Sequence, residues 1–292
     1  MRLARVKGPS GDVVLAAQYA PGRLVLLDGV GVDDPVVALD RLGLAALRQL
    51  VHERSADPAL TVSEDSVTFD VPVGRPQKII CVALNYAEHA AEGDQQAPDE
   101  PVIFFKPPSS LLPHGGTVCN PARSRRLDYE VELGVVIGVR ATNVQPSDWG
   151  EVVCGYTVFN DVTARDMQLV SIDRNQPWDH SKAFDTFAPC GPYLVTTDEI
   201  PDPMDLSITL QVGQQVRQAS RTSYMIFDIP TLLQAVSRNI TLEPGDIIAT
   251  GTPSGIGPVN DGEVMIAEIE GVGRLVNAVV YERRPTAAAA AR

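Results

Sequence analysis

The sequence lacks the features of a membrane-spanning, secreted or nucleic-acid-binding protein. No apolar run is long enough to span a bilayer, and Met1 to Lys7 are followed by Gly-Pro-Ser rather than an apolar signal core, so secretion is not expected. Lys and Arg number 24 against 37 Asp and Glu, which gives a net charge of −13. This negative charge, without any basic run, opposes binding to nucleic acid or to an anionic membrane.

Cysteine pairs and nucleotide-binding motifs are also absent from the sequence. The four cysteines form no CxxC pair, which favours buried free thiols in a reducing cytoplasm over disulfides or zinc ligands. The glycine-rich segment from Thr250 to Gly257 has neither the Gly-Lys-Ser/Thr of a P-loop nor the strand–GxGxxG–helix order of a dinucleotide site. We therefore expect a cytoplasmic protein that does not bind nucleotides.

Short β-type runs dominate the sequence from Lys78 onward, separated by turns to which the 23 glycines and 23 prolines contribute. The predicted strands are Ile79–Leu84, Val102–Phe105, Tyr129–Val139, Val152–Phe159, Tyr193–Thr196, Leu206–Val212, Asp246–Thr250, Val264–Ile269 and Leu275–Tyr281. Helical patterns are few, at Tyr86–Glu92, Asp161–Leu169 and Pro230–Ser237. This balance predicts a mainly β (α+β) fold rather than a doubly wound Rossmann sheet.

The pattern divides the chain into three predicted segments. Residues 1–72 are expected to form a small N-terminal β-rich domain with one helical stretch from about Val36 to Glu53. Residues 73–285 contain every segment with candidate chemistry and are expected to form the main domain. The alanine-rich residues 286–292 are expected to be a disordered tail.

Three acidic residues are the most informative feature of the sequence. Glu130 and Glu132 lie two residues apart in an apolar, β-branched segment, so on a strand both side chains point to the same face. Asp161 follows the next predicted strand and could reach the same place. Three converging carboxylates repel one another unless a cation lies between them, and hard oxygen ligands favour Mg²⁺, Mn²⁺ or Ca²⁺ over zinc or copper. The spacing therefore indicates a metal site, although a solvated strand face can have the same pattern.

Three further segments contain candidate chemistry, each with an ordinary structural alternative. His89 and Glu92 are three residues apart on a predicted helix, where the carboxylate can orient the imidazole as a general base; a surface contact is the alternative. Lys182 lies between aromatic residues, where it could hold an anionic oxygen or simply extend into solvent. The Gly251 amide and the Thr252 hydroxyl could cradle a carboxylate or merely form a turn.

Taken in order, these segments resemble the fumarylacetoacetate hydrolase family, in particular its bacterial acylpyruvate hydrolases and 2-hydroxyhepta-2,4-diene-1,7-dioate isomerases. The matching segments, spread over about residues 78 to 282, are Asn85-Tyr86 with His89 and Glu92, Phe105-Lys106-Pro107, Asp128 to Leu133, Asn160 to Gln168, Ser181 to Phe187 and Thr250 to Gly257. The resemblance implies a β-roll or mixed β-sandwich catalytic domain with few helices, usually homodimeric. It also implies that the N-terminal region is the short β-rich extension of many bacterial members.

The resemblance also implies roles for nine residues. It implies that Glu130, Glu132 and Asp161 hold Mg²⁺ or Mn²⁺, that His89 and Glu92 activate water, that Lys182 is a catalytic cation, and that Gln168, Gly251 and Thr252 contact the substrate.

The activity that the resemblance implies is metal-dependent hydrolysis of a C–C bond in a 1,3-dicarbonyl 2-oxo acid, of acylpyruvate or fumarylpyruvate type, through an enolate bound to the metal. Three residues depart from the family pattern: Ser181 and Ala83 replace glycines, and Leu84 stands where acylpyruvate-cleaving members often have a basic residue. Isomerisation of 2-hydroxyhepta-2,4-dienedioate and decarboxylation of oxaloacetate are therefore alternatives. A catalytically silent protein that binds a small ligand through the same fold is a third possibility.

Overall fold

The computed structural model describes residues 1–8, 11–92 and 96–283, and in this part of the chain the protein is mainly β, as predicted. The predicted tail, residues 286–292, lies outside the described residues. The described residues form six α-helices: α1 Pro35–Leu42, α2 Leu44–Arg54, α3 Ala87–Glu92, α4 Trp149–Val152, α5 Arg165–Asp173 and α6 Ile229–Ser237.

Twenty strands account for most of the regular structure in the described part of the chain. In chain order they are β1 Arg2–Lys7, β2 Val13–Ala20, β3 Arg23–Leu26, β4 Thr61–Ser63, β5 Thr68–Asp70, β6 Ile79–Ala83, β7 Val102–Lys106, β8 Leu111–Leu112, β9 Thr117–Asn120, β10 Leu127–Tyr129, β11 Val131–Ile137, β12 Val153–Asn160, β13 Thr163–Ala164, β14 Ala188–Thr196, β15 Ser207–Val212, β16 Gln215–Arg221, β17 Ile247–Ala249, β18 Gly257–Val259, β19 Val264–Ile269 and β20 Gly273–Tyr281.

The strands form one large mixed sheet and two smaller sheets. The large sheet has the order β4-β3-β2-β1-β14-β12-β11-β17-β6-β7, and β5 and β8 pair with β1 and β14 at its side. A five-stranded sheet has the order β16-β15-β19-β20-β9, and a three-stranded sheet the order β13-β10-β18. Every residue of β11 and β14 is buried, which explains why these strands are mostly apolar rather than alternating, with Glu132 as the charged exception in β11.

The hydrophobic core lies between the large and the five-stranded sheets. Val131, Leu133 and Val135 of β11 belong to the same buried cluster as Ile208 and Leu210 of β15. Because side chains alternate along a strand, this packing turns the even-numbered residues of β11 to the opposite face. The site described below lies on that face.

The described residues of the N-terminal region add five strands, β1 to β5, to the large sheet, and two helices. The predicted helical stretch from Val36 to Glu53 is two helices, α1 and α2, because Gly43 adopts φ +77° between them. Asp34 caps α1 by accepting hydrogen bonds from the backbone N–H groups of Val36 and Val37. Strand β1 pairs with β14 of the main region, so the two regions share one sheet. Independent folding of residues 1–72 stays a prediction.

Near the acidic residues the chain departs from the predicted elements in two places. The predicted strand Tyr129–Val139 is divided at Glu130, whose N–H donates to the Asn160 side chain at 2.9 Å instead of to a strand partner. The helix predicted to begin at Asp161 begins only at Arg165, because β13 first pairs with β10. Helices α3 and α6 begin within one residue of their predicted positions.

The four cysteines are free, as the sequence indicated; Cys81 and Cys190 are buried, whereas Cys119 and Cys154 are half-buried. Among the described residues, we find no helix with the length and apolarity needed to cross a membrane.

Candidate active site

The carboxylates of Glu130, Glu132 and Asp161 converge in the interior. One ligand oxygen from each lies within 4.8 Å of the others, and the three residues are only 1–4% exposed. Glu130 and Glu132 flank Val131 and point away from the core that Val131 enters, as strand alternation predicts. Asp161 comes alongside because β12 pairs with β11, and its N–H donates to the Glu130 carbonyl at 2.8 Å.

Among the described residues, two buried lysines and the half-buried Arg165 contact this acidic cluster. Lys182 Nζ donates to Glu130 Oε2 at 2.8 Å and also to Asp161 Oδ2. Lys106 Nζ lies 2.5 Å from Asp161 Oδ1. Arg165 donates to Glu130 Oε1. The cluster therefore has cationic partners on Glu130 and Asp161, which offsets the cost of burying their charges.

Glu132 has no such cationic contact among the described residues. Its Oε2 accepts a hydrogen bond from the Gly251 N–H at 2.9 Å. Burial, followed by the charges of Asp161 and Glu130, raises the pKa of Glu132 well above its usual range. Burial opposes ionisation of Glu130 too, but Lys182 and Arg165 lower its pKa below its usual value. A divalent cation fits this donor set, since it would compensate the charge that the protein leaves uncompensated at Glu132.

Lys182 keeps its positive charge despite complete burial. Burial favours the neutral amine, but the charges of Asp161 and Glu130 outweigh it and raise the pKa of Lys182 above its ordinary value. The ammonium also lies 5.0 Å from the centre of the Phe104 ring, a cation–π arrangement. The sequence predicted aromatic neighbours for Lys182 from its own segment. The structure adds Phe104, which lies in β7 and is distant along the chain.

His89 and Glu92 are neighbours on α3 and line the same cavity as the acidic cluster. Their Nδ1 and Oε2 atoms are 3.6 Å apart, which is longer than a hydrogen bond but within ion-pair range. The Glu92 carboxylate is held by the Gly255 N–H at 3.1 and 3.2 Å. This contact fixes Glu92 beside the imidazole.

Of the three residues predicted to contact the substrate, two line the cavity and the third, Gly251, does not. Gln168 and Thr252 line the cavity, with the Gln168 side chain accepting from Arg165 and the Thr252 hydroxyl accepting from Gln218 at 2.8 Å. Gly251 lies behind Glu132 and cradles that carboxylate with its amide. Its contact with substrate stays a prediction.

Glycine at position 251 is required by two features of its surroundings. It adopts φ +95°, and a Cβ there would lie 2.7 Å from the Cβ of Asn85. The Asn85 side chain in turn donates to the Thr250 carbonyl at 2.7 Å and to the Phe227 carbonyl at 3.0 Å. These contacts hold the strand end that presents the Gly251 amide to Glu132.

The cavity above the carboxylates has a volume of about 490 Å³. Its polar floor is the acidic cluster, and its walls are largely apolar, with Leu84, Leu169, Ile172 and Ile256 among them. Leu84 adopts φ +56°, an uncommon conformation for a leucine. A cavity of this size with few converging polar groups suits a small organic ligand.

Sequence reasoning missed four residues of the site: Lys106, Arg126, Asp128 and Arg165. Asp128 is two residues before Glu130, so the alternation that paired Glu130 with Glu132 could have included it. It is fully buried and accepts hydrogen bonds from both Arg126 and Arg165. Lys106 lies in the matching segment Phe105-Lys106-Pro107, but nothing in that segment indicates that its partner is Asp161.

Comparisons with known proteins show which proteins this chain resembles. Residues 78–280 match the family model described as fumarylacetoacetate (FAA) hydrolase C-terminal. An uncharacterized protein of Pyrococcus horikoshii is 50% identical over 208 residues, covering 71% of this chain and 90% of its own. Oxaloacetate tautomerase Fahd2a, a mitochondrial protein of Rattus norvegicus, is 42% identical over 227 residues, covering 75% of this chain and 71% of its own.

Solved structures share the fold over nearly the whole chain. Maleylpyruvate hydrolase from Sphingobium sp. SYK-6, crystallised with manganese(II) and pyruvate, superposes with a TM-score of 0.79 and 32% identity, covering 97% of this chain and all of its own. 2-Hydroxyhepta-2,4-diene-1,7-dioate isomerase from Mycobacterium marinum superposes with a TM-score of 0.76 and 30% identity at the same coverage.

Proposed function

The chain belongs to the fumarylacetoacetate hydrolase family, and we propose that it is a divalent-metal-dependent hydrolase that cleaves a C–C bond in a 2-oxo acid with a second carbonyl group, of acylpyruvate or fumarylpyruvate type. The observation that carries this proposal is the meeting of the Glu130, Glu132 and Asp161 carboxylates with the His89–Glu92 pair in one cavity. A metal site beside a general base is what hydrolysis of such a compound needs.

Glu130, Glu132 and Asp161 would hold Mg²⁺ or Mn²⁺, as their hard, buried oxygen donors suggest. When bound, the cation draws electron density from the oxygens of the 2-oxo acid and so favours its enolate form. Lys106 and Arg165 orient two of these carboxylates through the contacts described above.

His89 acts as the general base in the proposed reaction. It accepts a proton from water, and the resulting hydroxide attacks the carbonyl farther from the 2-oxo acid group. The C–C bond then breaks, its electron pair passes to the departing three-carbon fragment, and protonation of that fragment gives the 2-oxo acid product. Glu92, itself fixed by the Gly255 amide, stabilises the imidazolium that His89 becomes.

Lys182 stabilises negative charge that develops on oxygen during this sequence. Its buried ammonium already lies among the carboxylates and stays charged, so it needs no rearrangement of solvent to act. Gln168 and Thr252 are proposed to orient the substrate, since both line the cavity next to the carboxylates.

Tautomerisation of a 2-oxo acid such as oxaloacetate is a second candidate. The observation that favours it is the 42% identity with rat oxaloacetate tautomerase over 75% of this chain. The apolar Leu84 in the cavity wall also suits a reaction that needs no basic residue there. Isomerisation of a hydroxydienedioate and decarboxylation of oxaloacetate would use the same carboxylates and the same enolate.

A substrate panel separates these reactions by product. Purified protein with Mg²⁺ or Mn²⁺ is incubated with a 2,4-dioxo acid, oxaloacetate and 2-hydroxyhepta-2,4-dienedioate. Hydrolysis releases pyruvate and a second acid, decarboxylation releases CO₂, and tautomerisation or isomerisation changes the ultraviolet spectrum without releasing a fragment. Turnover of oxaloacetate or of the dienedioate alone would reject hydrolysis. No turnover of any compound would indicate a silent, ligand-binding protein.

Assembly and location are proposed along with the activity. We expect a homodimer, which light scattering coupled to size-exclusion chromatography tests directly, and a cytoplasmic location.

A further inference from the structure

Arg126 is the first residue of a row of ionic side chains beside the cavity. Residues 126, 128, 130 and 132 alternate with buried apolar residues, so in an extended segment they share one face. Arg126 donates from Nε and Nη2 to the two oxygens of Asp128, at 2.8 and 2.9 Å. Its guanidinium therefore lies against Asp128, next to the acidic cluster.

Asp128 is fixed from its other side as well. Arg165 Nε donates to Asp128 Oδ2 at 2.9 Å, and the same guanidinium reaches Glu130. One fully buried carboxylate is thus shared by two arginines, of which Arg165 also pairs with Glu130. Asp166 is the other acidic residue near Arg126, but its oxygens accept from the Ser124 hydroxyl and the Arg125 N–H.

The Arg126 guanidinium remains accessible from the cavity. Its side chain is 44% exposed and forms part of the cavity lining. Its Nη1 group donates to no residue in the described part of the chain. An arginine oriented by one carboxylate, with an amino group left to donate, is well suited to bind a second carboxylate.

Arg126 and the acidic cluster line one cavity, and the backbone separation of Asp128 from Glu130 gives an approximate ligand length. Asp128 and Glu130 are two residues apart, so their Cα atoms are about 6.6 Å apart on an extended strand. A chain of about five to seven carbon atoms covers such a distance with C–C bonds of about 1.5 Å. Leu169, Ile172 and Ile256 provide apolar walls for its methylene or vinyl carbons.

We propose that Arg126, held by Asp128, is the specificity-determining residue of this site and binds a carboxylate at the far end of the substrate. The protein then selects 2-oxo diacids over 2-oxo acids with an uncharged tail. The inference rests on the proposed function insofar as the 2-oxo end of the ligand is held at the acidic cluster. It does not depend on whether the reaction is hydrolysis or tautomerisation.

Binding of two matched compounds tests the proposal without turnover. 2-Oxoheptanedioate and 2-oxoheptanoate have the same chain length and differ only in the terminal carboxylate, and neither has a 4-oxo group that would permit cleavage. Each is titrated by calorimetry into the Mg²⁺-loaded protein. We expect the diacid to bind at least about tenfold more tightly than the monoacid, because a charge-assisted hydrogen bond has that strength.

Three variants identify the residue responsible. Arg126→Gln should bind both compounds with the affinity that the wild type has for the monoacid, whereas Arg126→Lys should retain part of the preference for the diacid. Arg125→Gln is the matched control, because it removes the same charge from the neighbouring residue, which does not line the cavity. It should keep the full preference.

Three outcomes of these titrations would contradict the inference. Equal binding of the two compounds by the wild type overturns the inference, and so does an equal loss of affinity for both in Arg126→Gln, which would show that Arg126 serves only to position Asp128. Failure of both compounds to bind the wild type would reject the proposed function itself, and the inference with it.

Discussion

Lys106 and Asp161 form an ion pair in the interior, with Lys106 Nζ 2.5 Å from Asp161 Oδ1 and both residues about 1% exposed. The same ammonium donates to the Val162 carbonyl at 3.0 Å. The Lys106 ammonium is thereby held by two adjacent residues, Asp161 and Val162. Its ion pair with Asp161 fixes one oxygen of that carboxylate. The other oxygen accepts from Lys182.

Replacing Lys106 should therefore affect both stability and metal binding. Lys106→Met leaves Asp161 with one cationic partner, and we expect it to lower the free energy of unfolding by about 3–5 kcal/mol, the usual cost of breaking a buried ion pair. It should also weaken Mg²⁺ binding, because Asp161 is no longer fixed. Urea unfolding and calorimetric titration measure the two effects.

Lys78→Met is the matched control for this variant. Lys78 pairs with the fully buried Asp246, which is outside the cavity lining. It should destabilise the fold and leave the metal affinity per folded molecule unchanged. Equal metal affinity in Lys106→Met and the wild type would contradict the positioning role.

Glu132→Gln should remove metal binding without weakening the metal-free fold. Burial and the neighbouring charges raise the pKa of Glu132, so its ionised form is disfavoured in the folded protein and costs stability at any pH above its unfolded-state pKa. A glutamine can still accept the Gly251 hydrogen bond but has no charge. We expect an equal or higher melting temperature than the metal-free wild type, together with loss of turnover. A melting temperature of Glu132→Gln clearly below that of the metal-free wild type would contradict this prediction.

Mg²⁺ affinity should increase with pH. Because its raised pKa favours the protonated form of Glu132 in the metal-free protein, the ion must displace a proton to bind that carboxylate. Acidification therefore weakens binding, and alkaline conditions strengthen it. Calorimetry in buffers of different ionisation enthalpy should detect proton release. Heats that are independent of the buffer, with an affinity that does not change with pH, would contradict this prediction.

His89→Gln should reduce hydrolysis and spare the metal site. Among the described residues, His89 lies within ion-pair distance of Glu92, at 3.6 Å, and of none of the three carboxylates. The acidic cluster should therefore stay assembled without it. Loss of a general base lowers the rate by about 10²–10⁴-fold. Steady-state kinetics and Mg²⁺ titration of the same preparation give both quantities. If the variant lost the metal as well, His89 would have a structural rather than a catalytic role.

Gly251→Ala should impair the site through the backbone. The new methyl group would meet Asn85 at 2.7 Å, at a residue that already needs φ +95°. A left-handed conformation alone costs a residue with a side chain roughly 1–2 kcal/mol, and we expect the free energy of unfolding to fall by more than that. Mg²⁺ binding should also weaken, because the amide moves away from Glu132. Gly262→Ala is the control, because Gly262 has φ +83° but nothing within 4 Å of an added Cβ. Equal destabilisation by the two substitutions, with metal affinity unaltered, would contradict the prediction.

Local patterns predicted nine of the twenty strands in the described residues, but they missed the shorter strands and the interruptions. Strands β6, β7, β12 and β19 lie within about one residue of the predicted runs, because apolar β-branched segments favour strands wherever they pack. The break at Glu130 and the late start of α5 at Arg165 depend on Asn160 and on strand β13. These are contacts with other segments, which a local pattern does not contain.

The two-residue period of a strand was enough to predict that Glu130 and Glu132 share a face. The spacing of three residues on a helix likewise indicated the His89–Glu92 pair. The folded structure was needed to show that Lys106, Lys182 and Arg165 contact the carboxylates and that Glu132 has no cationic contact among the described residues. Charge compensation depends on distance in space, and folding brings these groups together from elements far apart in the chain.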